Sequence, residues 1–211
     1  MAHLPINHSE EPIRLFKSDA LEFFTHIHPA VVLLIWIPVS VYSLYRGVIG
    51  WPVNISPWVI FLVFFAGVFL WTLSEYLLHR FVFHFPARGA LMERITFLFH
   101  GVHHAQPQCK TRLVMPPVVS IPMALIFFGV FYILFKIILG AGFLIYPVFS
   151  GFLTGYIIYD MTHYATHHFA MRTGYYKYIK RYHNQHHYKT PNKRFGVSSP
   201  VWDVVFGTKP E

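Results

Sequence analysis

Ten of the fifteen histidines in this chain fall into four short groups that have the spacing of metal ligands. Histidines three or four residues apart on a helix lie on one face, about 5–6 Å from each other. In chain order the groups read HxxxxH, HxxHH, HxxxH and HxxHH. Their members are His79 and His84; His100, His103 and His104; His163 and His167; and His183, His186 and His187.

The number and spacing of these histidines indicate two metal ions rather than one. Adjacent histidines such as His103 and His104 diverge by about 100° around a helix of about 3.6 residues per turn, so each can reach a different ion. Ten donors also exceed the four ligands of a structural zinc site. His79 and His84 are five residues apart. This predicts that the helix ends or bulges between them, or that the pair serves two metals.

The other candidate residues lie beside these groups. His168 is a possible extra ligand, or a hydrogen-bond partner of one. Glu75 and Asp160 are acids at the ends of apolar runs, next to the first and third groups, and we expect them to orient imidazole N–H groups. The lone Cys109 excludes an internal disulfide framework and a thiolate-based site. The remaining histidines are interpreted as tail and interfacial residues: His3, His8, His26 and His28.

Four apolar runs must position the histidine groups. The chain is 55% hydrophobic and only 12% charged, against about 25% charged residues in a typical soluble domain. We predict spans at about 29–45, 57–78, 117–139 and 143–159, since a helix needs about 20 apolar residues to cross a bilayer. The predicted fold is an all-α integral membrane protein, with four transmembrane helices capped by a cytoplasmic helical histidine-rich metal domain. An N-terminal tail (1–28) precedes a single domain (29–211), whose metal-binding segments are 79–116 and 160–208.

The distribution of positive charge predicts the topology. Of the seventeen Lys and Arg residues, all but Arg46 and Lys136 lie in the N-terminal tail, the central loop or the C-terminal region. The positive-inside rule therefore places both termini and both histidine-rich regions in the cytoplasm. The net charge of +8 borders lipid, where it can attract anionic headgroups, so no nucleic-acid partner is expected.

Two further runs accompany the histidine groups: RLVMPP at residues 112–117 and FGVSSPVWDVVFGT at residues 195–208. Together they make the chain similar, from about residue 70 to 208, to the fatty acid 2-hydroxylases of the fatty acid hydroxylase/sterol desaturase superfamily. The resemblance implies that the ten grouped histidines are the metal ligands. It also implies that Tyr159 and Asp160 lie near the head of the substrate.

The same resemblance implies a di-iron oxidoreductase that uses O2 to hydroxylate C2 of a long fatty acyl chain, either free or in ceramide or another sphingolipid. Iron is expected because the reaction needs a redox-active metal, although zinc can occupy such a site in a purified sample. Two departures stand out. Cys109 replaces an acid that the family usually has. Eukaryotic members also carry an N-terminal cytochrome b5 domain with a His-Pro-Gly-Gly motif, whereas here His28-Pro29 continues as Ala30-Val31.

We therefore expect electrons from a separate protein, either cytochrome b5-like or ferredoxin-like. A bacterial inner membrane is favoured, with the endoplasmic reticulum expected if the source is eukaryotic. One alternative is a desaturase or sterol-type C–H oxidase of the same superfamily. A more distant one is a non-redox zinc protein: a membrane hydrolase would leave most of the histidines idle, and a transporter would place them along a path within the spans.

Overall fold

The computed structural model describes residues 6–210, and within this range the chain is helical and contains no strand. His3, the start of the predicted tail and Glu211 lie outside the described residues. The all-α class expected from the sequence is confirmed. The α-helices are α1 (Asp19–Phe23), α2 (Pro29–Ile49), α3 (Trp58–Leu77), α4 (Ala90–Thr96), α5 (Val102–Ala105), α6 (Pro117–Phe131), α7 (Ile145–His168), α8 (Gly174–Tyr188) and α9 (Val201–Val205).

Four helical stretches are long and apolar enough to cross a membrane, and the chain is a multi-pass membrane protein. The stretches are Pro29–Ile49, Trp58–Phe83, Pro117–Ile138 and Gly142–His168. The last continues well beyond the predicted end near residue 159. The extension contains polar residues that are nevertheless buried, among them Thr162, His163 and Thr166. His163 and His167 therefore lie on the same helix as the fourth apolar run.

The described residues form two compact units, and the first is the apolar unit, Ala30–Trp71 and Met115–Ile158. Here α3 and α7 pack backbone against backbone through small residues. A Cβ atom on Gly67 would lie 2.1 Å from the Val148 carbonyl oxygen, and one on Gly151 would lie 1.8 Å from the Phe64 carbonyl oxygen. Glycine is thus required at both positions, because any side chain would force the helices apart.

The second is the histidine unit, which comprises the described parts of Met1–Pro29, Thr72–Val114 and Tyr159–Glu211. It contains all ten grouped histidines. Two of its helices change hydrogen-bonding pattern beside the histidine groups, becoming π-helical at Leu78–Phe83 and Phe97–Gly101. The bulge predicted between His79 and His84 is confirmed, and the amide of His84 donates to the carbonyl of His79 over 3.0 Å.

The N-terminal segment packs onto the loop that follows the second histidine group. The amide of Asn7 donates to the Ala105 carbonyl over 2.8 Å. Arg112 donates to the carbonyl of Ile13 and forms an ion pair with the carboxylate of Glu22. Within the described residues, the predicted tail is therefore part of the histidine unit, and Arg112 of the RLVMPP run is one of the residues that hold it there.

Candidate metal centre

The ten grouped histidines converge into two sets of five in the histidine unit. Within each set, the nearest ring nitrogens all lie within 4.8 Å of one another. We call the sets centre A and centre B. Centre A contains His79, His84, His100, His104 and His186. Centre B contains His103, His163, His167, His183 and His187.

Helical geometry explains how the histidine groups are divided between the centres. His103 and His104 are adjacent on α5 and fall into different centres, as the divergence of about 100° predicts. His186 and His187 are divided in the same way on α8. Histidines four residues apart remain within a centre, as for His187 and His183, whose Nε2 atoms are 3.0 Å apart, whereas those three residues apart, such as His100 and His103, are divided.

The π-helix at Leu78–Phe83 decides where the first histidine pair goes. With about 3.6 residues per turn, residues five apart point in different directions. A π-turn adds a residue, so that positions i and i+5 share one face. His79 and His84 therefore both belong to centre A, which resolves the two possibilities that the sequence left open.

All ten rings present the same atom, Nε2, to the interior of their centre. Adjacent Nε2 atoms within centre A are 3.0–3.2 Å apart, for example 3.0 Å between His79 and His100. The corresponding distances within centre B are 2.9–3.0 Å, for example 2.9 Å between His163 and His103. Two imidazole nitrogens that bind one ion at about 2.0–2.1 Å cannot be more than about 4.2 Å apart. These distances meet that condition.

Backbone carbonyls fix the protonation of two of the rings. Nδ1 of His79 donates to the Phe195 carbonyl over 2.5 Å, and Nδ1 of His186 donates to the Lys193 carbonyl over 2.7 Å. Because a carbonyl can only accept, the proton of each neutral ring is on Nδ1 and the Nε2 lone pair faces centre A. His163 also forms a hydrogen bond with the backbone of Leu113. Orientation of a ligand through its second ring nitrogen is typical of metal-binding histidines.

The electrostatic environment keeps the rings neutral and ready to coordinate a metal. Burial, reinforced by the neighbouring imidazoles, lowers the pKa of His100, His103 and His183 well below the ordinary value for histidine. Five Nε2 atoms converge in each centre, and rings with the proton on Nδ1, such as His79 and His186, cannot donate from Nε2 to their neighbours. A cation at the middle of each centre would satisfy all five, so the donor set fits a metal ion.

The two centres are in direct contact. The rings of His104 in centre A and His187 in centre B stack with centroids 4.1 Å apart and an interplanar angle of 21°. The rings of His100 and His103 lie 5.4 Å apart. Two ions held by these residues would therefore be neighbours, as a dinuclear site requires.

Two buried acids hold the C-terminal loop that supplies the Phe195 carbonyl. Glu75, on α3, accepts hydrogen bonds from the amides of Val197 and Ser198 over 2.6 and 2.8 Å, and from the hydroxyl of Ser198. Asp203 accepts from the amides of Phe195 and Gly196 over 2.8 and 2.7 Å. The carboxylate of Glu75 thus acts on the His79 ring through the loop.

Sequence reasoning missed the role of Asp203. The side chain is completely buried and lies within the FGVSSPVWDVVFGT run. Gly196 belongs to the same arrangement, because a Cβ there would lie 2.0 Å from the Ser199 carbonyl oxygen. The available signal was an isolated acid in an otherwise uncharged closing segment, since such an acid needs several hydrogen-bond donors when buried.

The other predicted site residues lie around the centres. The Tyr159 ring is buried and stacks on that of His163, with centroids 5.9 Å apart, and the adjacent Asp160 is also buried. His168 belongs to neither centre; its ring lies 4.7 Å from that of Tyr164. Cys109 is completely buried in the loop after the second histidine group and also lies outside both centres.

Comparison with known proteins gives the same family throughout. The fatty acid hydroxylase family model matches residues 64–208. The chain belongs to this family. It is 37% identical over 210 residues to the dihydroceramide fatty acyl 2-hydroxylase FAH1 of Arabidopsis thaliana, an alignment that covers 99% of this chain and 84% of that protein.

Two further relatives extend the comparison. The chain is 36% identical to the fatty acid 2-hydroxylase of Homo sapiens, with 98% of this chain and 58% of that protein covered. It is also similar to a solved structure of full-length Scs7p, in which only the hydroxylase domain is visible. There the TM-score is 0.81 at 36% identity, covering 90% of this chain and 70% of the other. Membership of this family makes the chain an enzyme.

Proposed function

We propose that this enzyme is a membrane-bound monooxygenase that hydroxylates C2 of a long fatty acyl chain, either free or carried in ceramide or a related sphingolipid. The observation that carries the proposal is the convergence of ten Nε2 atoms into two adjacent sets of five. The names of the similar proteins, a dihydroceramide fatty acyl 2-hydroxylase and a fatty acid 2-hydroxylase, support C2 as the position and an acyl lipid as the substrate.

The ten histidines of centres A and B would hold two metal ions, and iron is the expected metal. Bound iron would supply the redox chemistry that activates O2 toward an unactivated C–H bond. Imidazole ligands suit both iron and zinc, and the general affinity order favours Zn²⁺ over Fe²⁺. Zinc is therefore expected to compete for the sites during purification.

The protein's own groups would orient the reactants. The carbonyls of Phe195 and Lys193 hold two rings with their lone pairs directed inward. Tyr159 and Asp160, buried next to His163, are the residues that we assign to the head of the substrate. Fixing the carbonyl end of the acyl chain there would place C2 beside centre B, so that proximity selects the position of hydroxylation.

The balanced reaction requires a source of electrons. The conversion R–H + O2 + 2 e⁻ + 2 H⁺ to R–OH + H2O consumes two electrons per turnover. We propose that a separate cytochrome b5-like or ferredoxin-like protein supplies them. The positive-inside distribution of Lys and Arg supports a cytoplasmic location for both termini and for the histidine unit, with the bacterial inner membrane favoured as the site of action.

Lipid analysis of cells that express the chain tests the proposal. Wild type and His168→Ala should produce 2-hydroxy acyl lipids, whereas His103→Ala, which removes one nitrogen from centre B, should produce none. His168 is the matched control because it is a histidine of the same unit that belongs to neither centre. A new double bond or an oxidised sterol would instead identify a desaturase or sterol-type oxidase. Equal product from His103→Ala would refute catalysis at these centres.

A further inference from the structure

A basic groove lies on the surface of the histidine unit, along α8 and the segment that precedes it. Its volume is ≈ 620 Å³. All the charged side chains that line it are positive: Arg172, Lys177, Lys180, Arg181 and Lys189. Half of its lining residues are thus cationic, and none of them belongs to centre A or centre B.

Helix α8 separates the groove from the metal centres. Lys177, Arg181 and Tyr188, which is its last residue, are spaced four and seven residues apart and therefore share one face, and they are exposed. His183 and His187 are buried on the other side and belong to centre B. An α-helix with side chains is about 10–12 Å across, so a molecule seated in the groove would lie about one helix diameter from the ligands.

Tyr188 lies between the groove and centre B. Its side chain lines the groove and is 43% exposed. Its ring centroid lies 6.0 Å from that of His187. Lys180, by contrast, fixes the groove in place, because its ammonium donates to the carbonyls of Thr166 and Phe169 over 2.6 and 2.9 Å. The groove is therefore anchored to the helix that carries two ligands of centre B.

We propose that this groove is the docking site of a small acidic one-electron carrier protein, which delivers the two electrons of each turnover one at a time next to His187. The inference rests on the proposed function, which requires an external electron donor but does not say where it binds. Charge complementarity defines the partner as an acidic protein. A surface whose charged residues are all positive attracts such a protein and raises its association rate.

The composition of the surface favours a protein over a lipid headgroup. Aromatic residues, Met and Arg are enriched at protein interfaces. Here Met171, Arg172, Arg181 and Tyr188 all line the groove, and Tyr176 is exposed near the start of α8. The groove therefore combines positive charge with side chains of the kinds that are enriched at protein interfaces.

The test uses the full-length enzyme in nanodiscs and the soluble haem domain of a cytochrome b5 as the probe. The groove variant is Lys177→Glu/Arg181→Glu. The matched control is Arg88→Glu/Arg94→Glu, which makes the same change of charge at exposed residues outside the groove. Probe binding and the rate of carrier-driven hydroxylation are measured as a function of salt, and product from a single turnover is measured with dithionite in place of the carrier.

We expect the groove variant to bind the probe more weakly and to have a KM for the carrier that is about tenfold higher or more. Its probe binding should also change less with salt concentration than that of the wild type. Its metal content and its dithionite-driven product should remain unchanged, and the control should behave like the wild type. Equal probe affinity for the groove and control variants would overturn the proposal. So would a groove variant whose only defect is weaker binding to vesicles of anionic phospholipid, which would identify a headgroup site. Failure of the hydroxylase function is distinguishable, because the wild type would then bind the probe yet form no product with either reductant.

Discussion

Replacement of Glu75 by alanine should loosen centre A without touching any of its ligands. The Glu75 carboxylate accepts two backbone amides and one hydroxyl from Val197 and Ser198. These residues follow Phe195, whose carbonyl orients the ring of His79. In Glu75→Ala the loop loses its acceptor on α3, so the Phe195 carbonyl is no longer held against His79 Nδ1.

The size of the effect can be estimated from these contacts. Each buried donor left without an acceptor costs about 1–3 kcal/mol, so two backbone amides give about 4 kcal/mol. For a protein of this size, 1 kcal/mol shifts Tm by about 2–4 °C, which predicts a decrease of roughly 8–16 °C. Loss of the group that orients a ligand typically lowers metal affinity by about 10- to 100-fold.

The assay combines thermal unfolding in detergent with metal analysis after dialysis against a weak chelator. Glu75→Gln is the matched control, because an amide oxygen can still accept one or both amides but without the added strength of a charged acceptor. We expect both Tm and retained metal to decrease from wild type to Glu75→Gln to Glu75→Ala. If Glu75→Ala has the same Tm as the wild type and keeps all of its metal, the loop does not control the orientation of the His79 ring and the reasoning is wrong.

Three further outcomes follow from the contacts described above. Gly151→Ala should lower Tm strongly because its Cβ would lie 1.8 Å from a carbonyl oxygen of α3, whereas Gly129→Ala, with no atom within 4 Å of the added Cβ, should leave Tm equal or higher. Burial acts to raise the pKa of Glu22, but backbone amides and the Arg112 guanidinium outweigh it and the pKa is lowered from 4.5. The stabilisation by ionised Glu22 is therefore present above about pH 4.5 and lost as the pH falls through the lowered pKa. The Tm difference between wild type and Glu22→Gln should disappear over that pH range. Removal of metal by a strong chelator should release two ions per chain and lower Tm; release without any change in Tm would contradict the assignment of the ions to buried centres.

The sequence was sufficient to predict the fold class and to single out the ten histidines that converge, because both depend on short-range patterns. Apolar run length predicts the number of membrane-spanning helices, and helical spacing predicts which histidines can share a face. The predicted end of the fourth run at residue 159 shows the limit of this approach. Hydropathy reports where a helix stops being apolar, but α7 continues to His168 through polar residues that are nevertheless buried.

The contacts that orient the imidazole rings could not be predicted, because they are made by backbone atoms outside the helices, and Phe195 lies 116 residues from His79. The carbonyls of Phe195 and Lys193 carry no signal in the identity of their own side chains. The partners of Glu75 likewise lie more than a hundred residues away. Asp203 was visible in the sequence, but its role as acceptor for the Phe195 and Gly196 amides depends on a loop conformation that no periodicity encodes.

The division of ligands between the centres means that neither centre is built independently of the other. Helix α5 supplies His103 to centre B and His104 to centre A, and α8 supplies His186 to centre A and both His183 and His187 to centre B. An ion in one centre therefore restricts the rotation and position of both helices, which places the remaining rings of the other centre closer to their binding geometry. Because ordering these helices costs conformational entropy only once, the second ion should bind to an already ordered set of donors. The adjacent histidine pairs thus couple the two sites, which is the reason that chelation should remove both ions together rather than leave a stable form with one.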